Sequence, residues 1–282
     1  MNSIKISVRN LVEFIMRSGD LSVSSTGLKD PDAMQEGTRI HKKLQRRAGA
    51  GYRAEVTLSH DFLITYDEID LTITLEGRAD GIFQTEAGEC IDEIKGVYRD
   101  IHSMKEAVPV HRAQALCYAY IYALQNSLDS IGIRMTYCHI PTEEVRYFTE
   151  HLSFSSIEEQ VQSILQEYEK WAAWQLKWQK QRNLSIKQLE FPFSYREGQS
   201  KLVKGVYQSI LRQKRRYIEA PTGVGKTIST VFPSVKAIGE DLAEKIFYLT
   251  AKTITRTVAE DTCALLKAHQ TKLKCVTLTA KE

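Results

Sequence analysis

The sequence predicts an α/β protein whose two parts are joined by a long helix. Three observations lead to this expectation. Residues 1–150 show helix and strand patterns in the order helix, strands, helix, strand. A helical pattern with a capping-box start then covers residues 155–180. After residue 194, a strand-like run leads into a glycine-rich loop, a helix and a further apolar strand-like run.

Composition places the chain among ordinary globular proteins, with 43% hydrophobic and 26% charged residues. The net charge of +3 permits nucleic-acid binding without arguing for it. The five cysteines are dispersed and form no C-x-x-C pair, which is typical of reduced thiols in the cytoplasm. No run is apolar enough for a signal peptide or a membrane span, so we expect a cytoplasmic protein with no membrane partner.

The first part begins with two helices. Apolar positions 8, 11, 12 and 15 predict a helix over residues 7–17, closed by Ser18-Gly19. A polar loop follows to about residue 32, and a second helix is predicted from about residue 33 to 48. The remaining predicted elements are strands at 52–59, 61–66 and 69–76, a hairpin with arms at 77–83 and 89–95, an apolar helix at 108–126, and a strand at 131–140.

The hairpin carries Asp80 on its first arm and Glu93 and Lys95 on its second. Glu93 and Lys95 are two residues apart, so both side chains leave the same face of a strand, and pairing of the arms would bring Asp80 close to them. Unpaired charges are costly to bury. A divalent cation such as Mg²⁺ or Mn²⁺ would offset that cost, and a neighbouring lysine suits phosphodiester cleavage. Asp92 points to the opposite face and is expected to be structural.

The long helix carries tryptophans at positions 171, 174 and 178 near one side. We expect them to pack the helix onto a neighbouring domain; a platform for stacking nucleic-acid bases is the alternative. Residues 181–193 are the expected linker.

The elements predicted for the second part are a helix at 197–213, a strand at 216–219, a glycine-rich loop at 220–227, a helix from about 226, a strand at 245–250 and a strand-like run at 274–279. Because this set is too short to complete a P-loop domain, we expect the chain to be the N-terminal piece of a longer protein.

The glycine-rich loop has the chemistry of a phosphate site. Gly223 and Gly225, which flank Val224, allow backbone N–H groups to turn towards phosphates at a helix N-terminus. Lys226 can reach the β and γ phosphates of ATP, and the Thr227 hydroxyl can hold Mg²⁺.

The run Glu219-Ala-Pro-Thr-Gly-Val-Gly-Lys-Thr, preceded by Tyr195-Arg-Glu-Gly-Gln, resembles the first motif and the adenine-reading element of superfamily 2 helicases, and most of all the DinG/XPD-type iron–sulfur DNA helicases. Tyr248-Leu-Thr-Ala-Lys-Thr is similar to the next helicase motif, which in that family lies near the DNA. The resemblance implies a RecA-like fold in which Arg196 and Gln199 read the adenine. For Gln199, an exposed helical residue remains the alternative.

The helicase resemblance covers residues 194–282, the first part of a motor. The sequence has no Asp-Glu-x-His box, second ATPase lobe or arginine finger, and Cys263 and Cys275 do not form the family's cluster set. The 4Fe-4S cluster that the resemblance implies would belong to a C-terminal part beyond this sequence. Alone, the chain is expected to bind ATP weakly or not at all and not to hydrolyse it.

The first part carries four motif stations in order. They are Gly37-Thr-Arg-Ile-His41, Gly77-Arg-Ala-Asp80-Gly81, Asp92-Glu93-Ile94-Lys95 and Gln114-x-x-x-Tyr118. This order resembles the RecB-type branch of the PD-(D/E)xK nucleases, which implies a restriction-endonuclease-like core.

By that resemblance, His41, Asp80, Glu93 and the Ile94 carbonyl would hold Mg²⁺ or Mn²⁺. Lys95 would orient the attacking water or stabilise charge on the phosphorane. A second set, Gln114 and Tyr118, would support the site and touch DNA, since the two residues lie one helical turn apart.

Each station also has a simpler interpretation. His41 could be a surface or packed histidine, Asp80 a turn residue, and the charges of the second arm a guard on a strand edge. Gln114 and Tyr118 could be an ordinary helix pair. The basic helix at 39–47 could hold a phosphate backbone or be a solvated face, and Lys214-Arg-Arg could be a solvated helix end or part of a DNA path.

The sequence therefore predicts a nuclease-like domain at 1–150, a long helix and linker at 151–193, and the N-terminal part of a motor domain at 194–282. The expected function is that of an ATP-dependent DNA helicase with a metal-dependent nuclease domain, acting on single-stranded or branched DNA in repair or processing. The alternative is a helicase whose nuclease-like domain only binds DNA or a partner protein.

Overall fold

A computed structural model describes residues 2–17, 31–221, 223–250 and 253–278. The chain forms two compact units, Met1–Trp174 and Gln175–Glu282. Within the described residues there are six strands in one mixed sheet and seven helices, so the predicted α/β class is confirmed.

The first unit contains the whole sheet. Its strands are β1 (Ser3–Ser7), β2 (Arg53–Tyr66), β3 (Ile69–Thr85), β4 (Gly88–Val97), β5 (Ser130–His139) and β6 (Val145–Ser153). Its helices are α1 (Val8–Ile15), α2 (Pro31–Arg47), α3 (Pro109–Asn126) and the first part of α4 (Phe154–Lys187).

The sheet order is β1-β3-β4-β5-β6, and β2 pairs with β3 along its length. Strands β1 and β3 are parallel, as are β4 and β5, whereas the other pairs are antiparallel. Parallel neighbours need a crossover connection, and α3 supplies it between β4 and β5. An unbroken run of α3, residues 113–123, is buried, which fits the nearly uninterrupted apolar sequence of this helix.

Strands β2 and β3 are longer than predicted. The breaks expected near residues 60 and 77 do not exist, because the ladder continues from Arg53↔Ile82 to Tyr66↔Ile69. His60 keeps its half-buried place by contacting Phe62 edge-on, with ring centroids 4.7 Å apart. Asp67 and Glu68 join the strands with φ of 49° and 61°, the conformation of a two-residue hairpin turn.

The edge strands β1 and β6 have no counterpart in the sequence prediction. The first helix was predicted from residue 7, but Ser7 ends β1 and caps α1 by accepting a hydrogen bond from the Asn10 N–H. The predicted apolar positions 8, 11 and 12 are buried. The predicted loop up to about residue 32 lies outside the described residues over 18–30, as does its Ser18-Gly19 helix stop. Helix α2 begins at Pro31, slightly earlier than predicted.

Helix α4 extends to Lys187, so the linker predicted at 181–193 is partly helical. Trp171 meets Phe14 of α1 edge-on at 5.6 Å, within the first unit. Trp178 belongs to the second unit, where the Lys274 ammonium lies 4.2 Å from its ring centroid.

The second unit contains the end of α4 with α5 (Gln199–Leu211), α6 (Lys226–Gly239) and α7 (Thr253–Ala268). The strands predicted at 216–219 and 245–250 are not found, and the described part of 274–279 is also without regular structure. Among the described residues, these apolar patterns pair with no neighbour strand. Side chains such as Phe247 and Leu249 are 79% and 89% exposed. A strand is stable only when its backbone is paired, so the pattern alone was insufficient.

None of the described helices combines the length and apolarity needed to cross a membrane. All five cysteines lie in the described residues and carry free thiols, as their dispersed spacing predicted.

Candidate functional site

The candidate site lies where β3 and β4 separate. Their ladder ends at the pair Gly81↔Asp92, while β4 is paired with β5 as far as Val97. Asp80 and Glu93 are the next residues beyond that last pair. The carboxylate of Asp80 enters the gap, and its Oδ2 accepts a hydrogen bond of 2.7 Å from the backbone N–H of Ile94. Because the strands separate here, the Ile94 N–H is free to hold the Asp80 carboxylate in place.

Helix α2 presents one face to this point. A Cβ on Gly96 would lie 3.8 Å from the Gly37 Cα, so the helix and β4 approach closely where both residues are glycine. One turn later, His41 Nδ1 lies 3.3 Å from Asp80 Oδ1. After another turn, Gln45 donates a hydrogen bond of 2.9 Å to the backbone carbonyl of Asp80.

Glu93 and Lys95 form an ion pair on β4, with Lys95 Nζ 2.6 Å from Glu93 Oε1. Glu93 is only 5% exposed. Burial, with the negative charge of Asp80, raises the pKa of Glu93 to about 7 despite the opposing charges of Lys95 and His41. Burial lowers the pKa of His41, but the hydrogen bond and charge of Asp80 outweigh it, so the pKa is raised overall.

Helix α3 contributes Gln114 and Tyr118, both buried. Tyr118 fits only because residue 77 is glycine, since a Cβ there would lie 2.6 Å from the Tyr118 hydroxyl oxygen. Burial and then the charges of Glu93 and Asp80 raise the pKa of Tyr118. Gln114 Oε1 is buried without a hydrogen-bond partner among the described residues. An unpaired buried oxygen is rare and marks a place for another polar group.

Asp92 lies on the other face of β4, as the alternation of the strand predicted, and is 2% exposed. It accepts hydrogen bonds from the Tyr52 hydroxyl at 2.9 Å, from Arg134 Nη2 at 2.8 Å and from the Thr136 hydroxyl. The Tyr52 ring covers Gly81, where a Cβ would overlap it at 1.9 Å. The sequence analysis missed these supporting residues. An arginine inside the apolar run of β5 was the available signal, because a buried guanidinium needs a carboxylate.

The basic face of α2 is partly neutralised. Arg39 Nη1 lies 2.8 Å from Glu143 Oε1, and Lys43 pairs with the other oxygen of that carboxylate. Hydrogen bonds from Lys43 and Arg39 lower the pKa of Glu143 to about 2. Lys42, Arg46 and Arg47 are exposed on the same helix. The face is thus solvated at these three residues and ion-paired at the other two.

We tested whether the donors at the site fit a divalent cation. Within the described ranges, no three His, Cys, Asp or Glu side chains already stand as a metal cluster. His41 contacts Asp80 instead, and Glu93 faces Lys95. The donor types nevertheless suit Mg²⁺ or Mn²⁺, because Asp80 and Glu93 offer carboxylate oxygens on neighbouring strands and His41 offers an imidazole beside Asp80. Burial and the neighbouring Asp80 charge raise the pKa of Glu93, and both effects would be opposed by a cation bound beside the two carboxylates.

The glycine-rich loop leads directly into α6. Gly223 and Gly225 have φ of 86° and 71°, a region that favours glycine, and Gly225 caps the helix. Lys226, the first residue of α6, donates hydrogen bonds to the carbonyls of Ala220 at 2.8 Å and Pro221 at 2.9 Å. Its ammonium therefore lies against the loop, and Thr227 follows it in the first turn.

Gln199 is bound to this loop and is only 5% exposed, so the interpretation as an exposed helical residue is wrong. Its amide donates to the Val224 carbonyl at 3.2 Å and accepts from the Arg196 N–H at 3.0 Å. The Arg196 guanidinium also donates to the Gly223 carbonyl. The two residues predicted to read adenine thus lie beside the predicted phosphate loop.

Comparison with known proteins gives only one weak structural similarity to report. No protein-family model matches the chain, and no curated protein matches it. One solved structure, described as the crystal structure of SSO0001, is similar over 59% of this chain and 76% of that chain, with 18% sequence identity and a TM-score of 0.36. A likeness this weak carries no argument about function.

Proposed function

We propose that the first unit is a metal-dependent nuclease acting on DNA and that the second unit carries the ATP-binding loop of a helicase. The observation that carries the nuclease proposal is the convergence of His41, Asp80, Glu93 and Lys95. They come from α2, β3 and β4, and they meet where β3 and β4 separate. Single-stranded or branched DNA in repair or processing is the proposed substrate.

Three side chains would hold the cation in this proposal. Asp80 is oriented by the Ile94 N–H, His41 stands against Asp80, and Glu93 is buried beside them. The Ile94 carbonyl is the proposed additional ligand. Bound Mg²⁺ or Mn²⁺ supplies Lewis-acid chemistry and lowers the pKa of a coordinated water. Ligands must be deprotonated to bind a cation, so binding would release protons from His41 and Glu93.

Lys95 is the proposed electrostatic catalyst. Its ammonium is held at 2.6 Å from Glu93 and is largely shielded from solvent, with 25% of its side chain exposed. A cation in such a place stabilises negative charge that develops on the phosphoryl oxygens, and it does so more strongly than in water. When a divalent cation takes Glu93, the ammonium becomes available to the phosphate or to the attacking water.

The test is Mn²⁺-dependent cutting of end-labelled single-stranded DNA by Lys95→Ala. Lys105→Ala is the matched control, because Lys105 is an exposed lysine in the loop that follows β4. We expect cutting to be lost in Lys95→Ala and retained in the control. Equal cutting by wild type and Lys95→Ala would contradict the proposal.

A non-cleaving DNA-binding module is the second candidate. It is favoured by the fact that Glu93 is engaged by Lys95 and that no three-ligand group stands preformed among the described residues. Titration of Mn²⁺ by calorimetry separates the two candidates. The nuclease predicts binding by wild type that is lost in Asp80→Asn, whereas the binding module predicts no binding by either protein.

The proposal of an ATP-binding loop is supported by the two left-handed glycines at the start of α6 and by the adjacent Lys226. The lysine would exchange the carbonyls of Ala220 and Pro221 for phosphate oxygens. A fluorescent ATP analogue with Mg²⁺ tests this, with Lys226→Ala against Lys245→Ala, an exposed lysine of the same unit. Because this chain alone is expected to bind ATP weakly, the analogue is titrated to high concentration, and measurable binding by Lys245→Ala that is equalled by Lys226→Ala would contradict the proposal.

A further inference from the structure

Arg99 and His111 lie around Tyr137, next to Lys95. Lys95 and Tyr137 are register partners on the parallel strands β4 and β5, so their side chains leave the same face of the sheet. Tyr137 is fully buried. It therefore forms the floor of the area beside the proposed catalytic lysine.

Val108 and His111 contact the hydroxyl of Tyr137, and Arg99 lies over its ring. The Tyr137 hydroxyl accepts a hydrogen bond of 2.9 Å from the Val108 N–H and lies 3.0 Å from His111 Nδ1. The Arg99 guanidinium carbon lies 6.0 Å from the Tyr137 ring centroid. One buried tyrosine thus brings together the start of α3 and the loop that follows β4.

One tautomer of His111 pairs with the Tyr137 hydroxyl and leaves a donor free. The Tyr137 hydroxyl accepts from Val108, so its own hydrogen can be donated to His111 Nδ1. This leaves the proton of the neutral imidazole on Nε2, which can then donate to another group. His111 is half-buried and remains partly open to solvent.

The surroundings of His111 have surplus positive charge. Burial, followed by the charges of Lys95 and Arg99, lowers the pKa of His111 to about 4, with Glu13 and Arg9 making smaller, opposed contributions. Arg99 is exposed, and no carboxylate among the described residues lies within ion-pair distance of it. An exposed arginine that makes no ion pair within the described part of the chain, beside a neutral donor, is suited to an anion.

We propose that Arg99 and His111 form a binding subsite for one phosphate of a DNA single strand, the phosphate adjacent to the one held at Lys95. The identity of the strand rests on the proposed nuclease function. The positions of the subsite residues rest on their contacts with Tyr137. Arg99 supplies the charge, and His111 supplies a neutral hydrogen-bond donor from Nε2.

The test measures binding alone, in the presence of EDTA, so that cleavage plays no part. The affinity of the full chain for a fluorescein-labelled oligothymidylate is followed by anisotropy over a range of salt concentrations. For Arg99→Gln we expect weaker binding and a plot of log affinity against log salt whose slope is smaller by about 0.7, the value for one single-strand phosphate contact. Lys105→Gln removes an equal charge from the same loop and should leave the slope unchanged. An Arg99→Gln slope equal to that of wild type overturns the proposal.

His111→Ala gives an independent measurement. Because the neutral histidine contributes a hydrogen bond and no charge, we expect several-fold weaker binding with an unchanged slope. Unchanged affinity in His111→Ala would exclude this residue from the subsite.

A scan with single neutral methylphosphonate linkages locates the phosphate. One position should weaken binding to wild type and have no effect in Arg99→Gln, because the contact is already lost. Equal effects in both proteins at every position would contradict the subsite. These outcomes are separate from the nuclease test. If Lys95→Ala loses cutting but the Arg99→Gln slope is unchanged, the nuclease proposal stands and the subsite is removed. If cutting is unaffected by Lys95→Ala but the Arg99→Gln slope is smaller, the subsite stands as a DNA-binding site without cleavage.

Discussion

Replacing Asp92 by asparagine tests whether the hidden face of β4 supports the candidate site. The change keeps the shape of the side chain but removes its charge. In the wild type, the Asp92 carboxylate accepts hydrogen bonds from Tyr52, Arg134 and Thr136 and is 2% exposed. The Arg134 guanidinium would be left against an amide, with the rings of Phe83 and Tyr147 at 4.0 and 5.0 Å from its Cζ.

The expected cost follows from the burial of the pair. Removal of one partner of a buried ion pair costs about 3–5 kcal/mol, because the other charge is left uncompensated. Arg134 retains 22% exposure of its side chain, so part of its charge can be hydrated. We therefore expect Asp92→Asn to lower the free energy of opening of β4 and β5 by roughly 2–4 kcal/mol.

Native-state hydrogen exchange of the β4 and β5 amides is the suitable assay, because it reports on this sheet separately from the second unit. Asp61→Asn is the matched control. Asp61 accepts a hydrogen bond from Thr74 at an exposed position of β2, where a loss of under about 0.5 kcal/mol is expected. A change below about 1 kcal/mol in Asp92→Asn would refute the argument that this ion pair holds the strands together.

Three further predictions concern the site. Gly77→Ala should destabilise the sheet by about 1–3 kcal/mol in the same exchange assay, because its Cβ would press on the Tyr118 hydroxyl; adding Tyr118→Phe should restore part of the loss. Mn²⁺ affinity measured by calorimetry should fall as the pH is lowered from about 8 to about 6, because protons compete for His41 and Glu93, whose pKa values are both raised; a pH-independent affinity would argue against these ligands. The pKa of His111 is about 4 in the folded state and 6.5 in the unfolded state. The neutral histidine therefore contributes fully to stability above pH 6.5, and this contribution is lost as the pH falls towards 4. Chemical unfolding of the first unit should show this loss in wild type and a smaller one in His111→Gln.

The local sequence pattern was enough to predict that Asp80, Glu93 and Lys95 lie close together. Glu93 and Lys95 share a strand face by simple alternation, and they form an ion pair in the structure. The predicted hairpin also brings Asp80 near β4, but through a hydrogen bond from the Ile94 N–H beyond the last ladder pair, not through strand pairing. The place of His41 could not come from pattern alone. It depends on two glycines, Gly37 and Gly96, that let α2 approach β4.

Long-range pairing explains what the sequence analysis missed. Asp92 finds Arg134 only because β4 and β5 are adjacent and parallel, a fact that no local window contains. The same limit applies to β1 and β6, whose short edge-strand patterns become strands only through their neighbours. Residues 245–250 show the reverse case: their sequence pattern is strand-like, but no neighbouring strand among the described residues pairs with them, so they form no strand.

The two oxygens of Asp80 are not equivalent, and this has a consequence for cation choice. Oδ2 is occupied by the Ile94 N–H, whereas Oδ1 faces His41. The backbone hydrogen bond uses one lone pair of Oδ2 and restrains the rotation of the carboxylate, so Oδ1 is the oxygen more open to a cation in the proposed site. Calcium sites commonly use both oxygens of a carboxylate and six to eight ligands, whereas magnesium prefers an octahedron of single-oxygen contacts that includes several waters. If the proposed site binds a cation, we therefore expect tighter binding of Mg²⁺ or Mn²⁺ than of Ca²⁺.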